Sequence, residues 1–325
     1  MLDILAITGP IYLCILAGFA AVRFQLFSKA DMRVFGRFVI QIALPALLFS
    51  ALASRPLGEV LHWGYLLAFT AGSLLVLLGG LWVAWRIQGK SLTESAYVAM
   101  GMSCSNSGYV GYPVMLLTFG PLAGVILALN LIVENIVKLP LLFFLADAGA
   151  AGSGRERLSA GQVLRETGGR LVRNPMIVAI FAGFAVALFQ LELPSVIERT
   201  VTLFSAASGG LALFIIGGSL VGLETKGLRS QVTLIAVGKL LLHPLAVWVA
   251  VLLLPQLGLP AVAGDLRAAA VLSAAMPMLG IYSLLAQRHG FEGFTAAALL
   301  AATGASFFTI SAIMWLMQHS AGWLA

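Results

Sequence analysis

The sequence predicts an all-α polytopic membrane protein of ten transmembrane helices, arranged as a 5+5 inverted repeat with crossover helices 4 and 9 broken. Three observations predict it. Of the 325 residues, 60% are hydrophobic and only 10% charged, with a mean hydropathy of +1.01. Ten apolar stretches fill almost the whole chain, each long enough for a hydrocarbon core that needs roughly 20 residues of helix. The fourth and ninth are interrupted by Ser, Asn, Gly and Pro, and non-helical backbone survives at that depth only where protein buries it or a cavity wets it.

The spans are read at about 3–22, 34–53, 61–85, 93–119 and 121–146, then 175–191, 198–221, 230–254, 266–287 and 292–317. Span 1 carries Asp3 with no basic region or small-residue cleavage site before it, so no cleaved signal peptide is read. Span 2 contains Pro45-Ala46-Leu47-Leu48-Phe49, echoed 165 residues later in span 7 by Gly210-Leu211-Ala212-Leu213-Phe214. Asn174-Pro175 reads as the cap and first turn of span 6. Between the halves, residues 147–173 read as a cytoplasmic linker, with AGAAGSGRERLSAG flexible and an Arg-rich surface segment after it. The linker divides a first five-helix repeat, 1–146, from a second, 174–325. Five is odd, so the second repeat enters the membrane in the opposite orientation.

Charge supports this order. Of the 19 lysines and arginines, 14 fall in loops on one side and only Arg55, Arg199 and Arg267 on the other; Lys138 and Lys239 lie inside spans. The positive-inside rule then places the protein in the cytoplasmic (inner) membrane, multi-pass, with both termini on the non-cytoplasmic side. The pI near 9.6 and net charge of +6 come from these short loops rather than from one soluble basic face, so no nucleic-acid partner is read. The surrounding partner is membrane lipid. Cys14 and Cys104 both sit within spans, which argues against a disulfide framework, a redox pair or a cysteine metal site. No cofactor or metal site is expected.

Span 4 carries Ser103-Cys104-Ser105-Asn106-Ser107-Gly108-Tyr109-Val110-Gly111-Tyr112-Pro113 in an otherwise apolar stretch. Pro113 lacks an N–H and opposes the Tyr109 carbonyl, while Gly108 and Gly111 permit other dihedrals. Span 9 carries Met276-Pro277-Met278-Leu279-Gly280-Ile281-Tyr282-Ser283, where Pro277 opposes the Ser273 carbonyl. Half-helices with N-terminal dipole ends near the midplane favour an anionic ligand. The plainer reading, kinks and packing notches, suits one such break better than two in the fourth span of each half.

Ionisable residues inside spans are costly unless paired or wetted. Glu134 lies midway along span 5 with Asn130 and Lys138 at i−4 and i+4, and is a candidate proton carrier. Lys239 and His243 form an i,i+4 pair in span 8 before Pro244, with Lys239 a candidate to bind substrate or to neutralise Glu134. A static ion pair is the alternative, and for His243 a hydrogen-bonded packing role. Thr303, Ser306 and Thr309 either line a cavity or bond their own helix. Tyr109, Tyr112 and Tyr282 are candidates for an aromatic lining. Gly217, Gly218 and Gly222 suit small-residue packing, in a homodimer or within one protomer. No HExxH or GxxxxGK[ST] occurs, and the aspartates fall at span ends, so an intramembrane protease or an ATP-driven pump is disfavoured. A sensor built from transporter-like spans and a channel stay open.

Four segments, NSGYVGYPVMLLTFG at 106–120, RNPMIVAIFAGF at 173–184, KLLLHPLAVW at 239–248 and MPMLGIYSLLAQRHG at 276–290, resemble the auxin efflux carrier family. These are the bacterial relatives of the plant PIN proteins, within the wider group of bile acid, arsenite and riboflavin transporters. The resemblance implies a scaffold of spans 1, 2, 6 and 7 and a moving unit of spans 3–5 and 8–10. It also implies unwound spans 4 and 9 crossing at the site, and elevator-type transport of small organic anions, auxin-like or malonate-like carboxylates among them. Plant members have proline at both crossovers; Ser105 stands where the first is expected. The combined reading is a secondary carrier. Its substrate candidates are Ser105, Asn106, Ser107, Gly108, Tyr109, Gly111 and Pro113 from span 4, and Pro277, Met278, Leu279, Gly280, Ile281 and Tyr282 from span 9. Glu134, Lys138, Lys239 and His243 are the coupling candidates, with a proton first, and sodium or uncoupled uniport as alternatives.

Overall fold

In lipid no water satisfies the peptide groups, so they must bond within their own segment, and an apolar chain becomes helical. The computed structural model describes residues 2–55, 61–150, 169, 172–222, 229–262, 264–287 and 289–319. Among these residues there is no strand, only one isolated bridge between Ser105 and Met278. Six helices are long and apolar enough to cross a membrane: Lys29–Ala53, Trp63–Ile87, Ser107–Ala150, Ser195–Leu220, Ser230–Leu257 and Glu292–Met317. Pro175–Phe189 is apolar but shorter, and Gly9–Arg23 is an apolar stretch of the helix Leu2–Arg23.

Six rather than ten pass by length, for identifiable reasons. The region read as span 4 is helical over Leu92–Ser103, 12 residues, and then leaves the helix; at 1.5 Å per residue that is about 18 Å, short of a bilayer core. Asp265–Ala275, in span 9, has 11 residues and also stops. Tyr112–Phe119 and Ala123–Ile132 are joined in one stretch by a 3₁₀ turn at Gly120–Leu122, entered through Gly120 at φ 56°, which favours glycine. Asn174 caps Pro175–Phe189 as its sequence suggests, its side chain accepting from the Met176 N–H at 3.0 Å. Most of the linker, its cations Arg155, Arg157, Arg165 and Arg170, and also Lys226 and Arg288, lie outside the described residues. The linker's first residues, from Asp147, continue the helix Leu139–Ala150.

Four prolines shape the helices in a common way. Pro45, Pro113, Pro140 and Pro244 each follow by two residues the end of a π turn: Val39–Ala43, Ser107–Gly111, Val133–Lys138 and Gly238–Leu242. A proline cannot donate to the carbonyl four residues back and its ring presses on it. In each case that carbonyl, of Gln41, Tyr109, Ile136 or Leu240, lies inside the π turn. Widening the turn to i→i−5 bonding, seen from Leu44 to Val39, Leu139 to Glu134 and His243 to Gly238, relieves the clash without ending the helix. Glu134, Lys138 and Lys239 all sit on these widened turns.

The chain forms two compact units. One comprises Met1–His62, Ser107–Leu131 and Arg170–Gly222; the other comprises Trp63–Asn106, Ile132–Gly169 and Leu223–Ala325. In the first, helix Leu2–Arg23 lies against Ser208–Leu220 through reciprocal glycines: a Cβ on Gly18 meets the Phe214 carbonyl, and one on Gly217 meets that of Ile15. Gly218 faces Met32, so both glycines spend their small size inside this unit. The second unit is built on an apolar core that includes Tyr97, Met100, Met102, Leu240 and Tyr282.

Gly217→Val is expected to force these two helices apart, costing about 1–3 kcal/mol or more. Gly79→Val, where a Cβ meets nothing within 4 Å, serves as control. Thermal unfolding in detergent that left both variants equal to the parent would remove this close approach from the account.

Candidate functional site

Helix Leu92–Ser103 begins with the Ser91 hydroxyl accepting from the Glu94 N–H at 3.1 Å. It ends as Cys104 turns extended, at φ −90° and ψ 127°. Asp265–Ala275 ends at Met276, at φ −60° and ψ 148°, the extended conformation that a following proline, here Pro277, imposes on its predecessor. The two extended stretches then pair. Ser105 bridges Met278 antiparallel, and the Asn106 N–H donates to the Pro277 carbonyl at 2.8 Å. The structure thus brings together Ser105, Asn106, Pro277 and Met278, all buried, from segments about 170 residues apart in the sequence.

A charged cluster surrounds Ser105. Lys239 Nζ donates to the Ser105 hydroxyl at 2.9 Å, the Ala274 carbonyl at 2.6 Å and His243 Nδ1 at 2.8 Å. Against Lys239 as an ammonium, which only donates, Nδ1 is the acceptor, and the tautomer that fits carries its proton on Nε2, 2.9 Å from Ser73 Oγ. Lys138 Nζ donates to the Ser103 carbonyl at 3.0 Å, lies 3.6 Å from Glu134 Oε1 and stands 4.8 Å above the Phe69 ring. Glu134 Oε1 accepts the Ser105 N–H at 3.1 Å. Lys138, Lys239 and His243 are 0% exposed and Glu134 is 2%, a depth at which unpaired charge is prohibitive. The two sequence pairs, Glu134 with Lys138 and Lys239 with His243, therefore meet in one network through Ser105. Lys239 spends its three donors on neutral groups, while Lys138 is the lysine ion-paired to Glu134.

The other candidates divide. Leu279 is half-buried, Gly280 and Ile281 are exposed, and Tyr282 is buried with its hydroxyl donating to the Tyr97 carbonyl at 2.7 Å. Ser107, Gly108, Tyr109, Gly111 and Pro113 belong to the first unit. There the Tyr109 hydroxyl donates to the Gly36 carbonyl at 3.1 Å, Gly108 lies against Leu44, and Pro113 is buried in the first turn of Tyr112–Phe119. Thr303, Ser306 and Thr309 donate to carbonyls of their own helix. Sequence reasoning missed Phe69 and Ser73, one helical turn apart in span 3. Ser73 carried a signal, as a polar residue deep in an apolar span, whereas the two carbonyl acceptors have none.

A family model described as "Membrane transport protein" matches residues 7–316. The chain belongs to this family, that of the auxin efflux carriers. It is a multi-pass membrane transporter and not an enzyme. The transporter is 25% identical over 99% of its length to the "Putative malonate transporter" of Rhizobium meliloti (strain 1021), covering 98% of that protein. It is 22% identical to the "Probable auxin efflux carrier component 5a" of Oryza sativa subsp. japonica, over 89% of each chain. Both breaks and the whole charged cluster lie inside the family match.

Ser105→Pro removes the N–H held by Glu134 and the hydroxyl held by Lys239, whereas Ser105→Ala removes only the hydroxyl. Cys104 is already extended, so a following proline fits the backbone before it. With hydrogen bonds to charged groups worth about 1.5–3 kcal/mol each, proline is expected to destabilise by that much beyond alanine. Equal unfolding midpoints for the two variants would show that the Glu134 contact contributes nothing.

Proposed function

We propose that the transporter is a secondary carrier of small carboxylates, working by elevator-type alternating access. In this reading ten spans form a 5+5 inverted repeat in the inner membrane, with both termini outside. Spans 1, 2, 6 and 7 act as scaffold and spans 3–5 and 8–10 as the moving unit. The observation that carries the proposal is the pairing of two interrupted helices, Ser105 against Met278, beside a buried cluster of two lysines and one glutamate. Interrupted helices at the membrane midplane are the usual place for substrate in such carriers. Two ammonium groups against one carboxylate leave surplus positive charge, which suits an anion. The relatives' printed names, a malonate transporter and an auxin efflux carrier, point to the same chemical class.

Asn106 is the side chain assigned to the substrate carboxylate, since its backbone N–H on the Pro277 carbonyl fixes the residue at the paired break. Malonate and indole-3-acetate should be tested as stabilisers of the purified protein. Binding at 100 times Kd raises stability by about 2.7 kcal/mol. One of them is expected to raise the unfolding midpoint of the parent and not that of Asn106→Ala. No shift with either acid, or a shift untouched by the variant, would move the site elsewhere or end the carboxylate reading.

Glu134 is the only buried carboxylate among the described residues and is assigned the coupling proton. In proteoliposomes Glu134→Gln is expected to abolish the response of uptake to an imposed pH gradient. Full retention of that response would dismiss Glu134 as the carrier.

A further inference from the structure

The last carbonyls of an α-helix lack intrahelical donors and carry the negative end of its dipole. A helix that stops inside a membrane therefore presents a cation site. Among its described residues the second unit has two such ends at the paired breaks, those of Leu92–Ser103 and Asp265–Ala275. Each is met by a lysine: Lys138 Nζ on the Ser103 carbonyl at 3.0 Å, and Lys239 Nζ on the Ala274 carbonyl at 2.6 Å.

We infer that Lys138 and Lys239 are the resident cations of the two interrupted helices, tethered to the chain, so that no sodium ion binds at these carbonyl ends. The inference rests on the carrier reading and deepens it by removing sodium from the cycle. Lys239 is the clearer case. Its three N–H donors match three acceptors, a carbonyl, a hydroxyl and an imidazole nitrogen, with all four residues buried. A free cation would have to take those same ligands from an ammonium and then sit beside its charge. Lys138 fills the other end while paired with Glu134 and covered by the Phe69 ring. Both lysines project from proline-induced π turns, Val133–Lys138 and Gly238–Leu242, which fix where their stems begin. The position is thus built into the helices rather than supplied from solution.

The test compares thermal unfolding of the full-length protein in sodium chloride, choline chloride and methylammonium chloride at equal ionic strength, for the parent, Lys239→Ala and Lys239→Met. The parent is expected to unfold at the same temperature in sodium and choline. Lys239→Ala is expected to lower the folded-to-unfolded ratio about 5- to 30-fold. Methylammonium or sodium should restore part of that loss, because truncation leaves room for a cation among the three acceptors. Lys239→Met, which fills the room with an apolar stem, should gain nothing from either cation. Selective stabilisation of the parent by sodium would overturn the inference without any variant. So would a Lys239→Ala protein as stable as the parent, or one blind to both cations. If Lys239→Ala does not fold, the parent's response to sodium and the Lys239→Met response decide. Malonate and indole-3-acetate enter none of these readings, so a failed carboxylate reading with a sodium-blind parent and a rescued variant leaves the tethered cations standing.

Discussion

The structure of the second unit depends on one constraint: a backbone carbonyl buried in a membrane must find a donor. Continuous helices meet it internally, and interrupted ones cannot. Stopping Leu92–Ser103 and Asp265–Ala275 part-way exposes carbonyls of Ser103 and Ala274 that only another element can satisfy. Lysines from two other helices supply the donors, the extended residues beyond the breaks pair through Asn106 and Pro277, and Glu134 takes the Ser105 N–H. The charged cluster is therefore the cost of the breaks. Removing the interruptions would leave two buried lysines with nothing to cap.

Much of this was legible in the sequence. Apolar length located the helices; Asn174-Pro175 announced a helix start, and the i,i+4 spacing of Glu134 with Lys138 and Lys239 with His243 announced both pairs. What was hidden is how the pairs meet. Sequence spacing describes one helix at a time, whereas Ser105 is joined to Glu134 through its N–H and to Lys239 through its hydroxyl. Main-chain acceptors such as Ala274 carry no residue-type signal. Tyr282 shows the converse limit: a tyrosine near a break suggests a lining, yet its hydroxyl is engaged on the Tyr97 carbonyl.

The π turns form a middle case, visible once their cause is understood. Proline inside a helix suggests a kink, but at positions 45, 113, 140 and 244 the preceding turn widens instead. A widened turn shifts the phase of the side chains after it. Lys138 and Lys239 stand at such turns, so Pro140 and Pro244 act on the cluster by setting the rotation at which each lysine leaves its helix.

Lysine rather than arginine also follows from the geometry. Arginine presents five donors in a flat fork suited to bidentate carboxylate, while lysine presents three donors around a compact charge. Around Lys239 the acceptors number three and differ in kind, a carbonyl, a hydroxyl and an imidazole nitrogen, on three different segments. A planar guanidinium offers no such convergence on one point and would leave donors unspent at 0% exposure. The identity of Ser105 belongs to the same fit. A proline there breaks a helix without help but donates and accepts nothing through its side chain or nitrogen. Serine takes part in the cluster that holds the break, so the end of Leu92–Ser103 is met by charge and hydrogen bonding, whereas Pro277 follows the end of Asp265–Ala275.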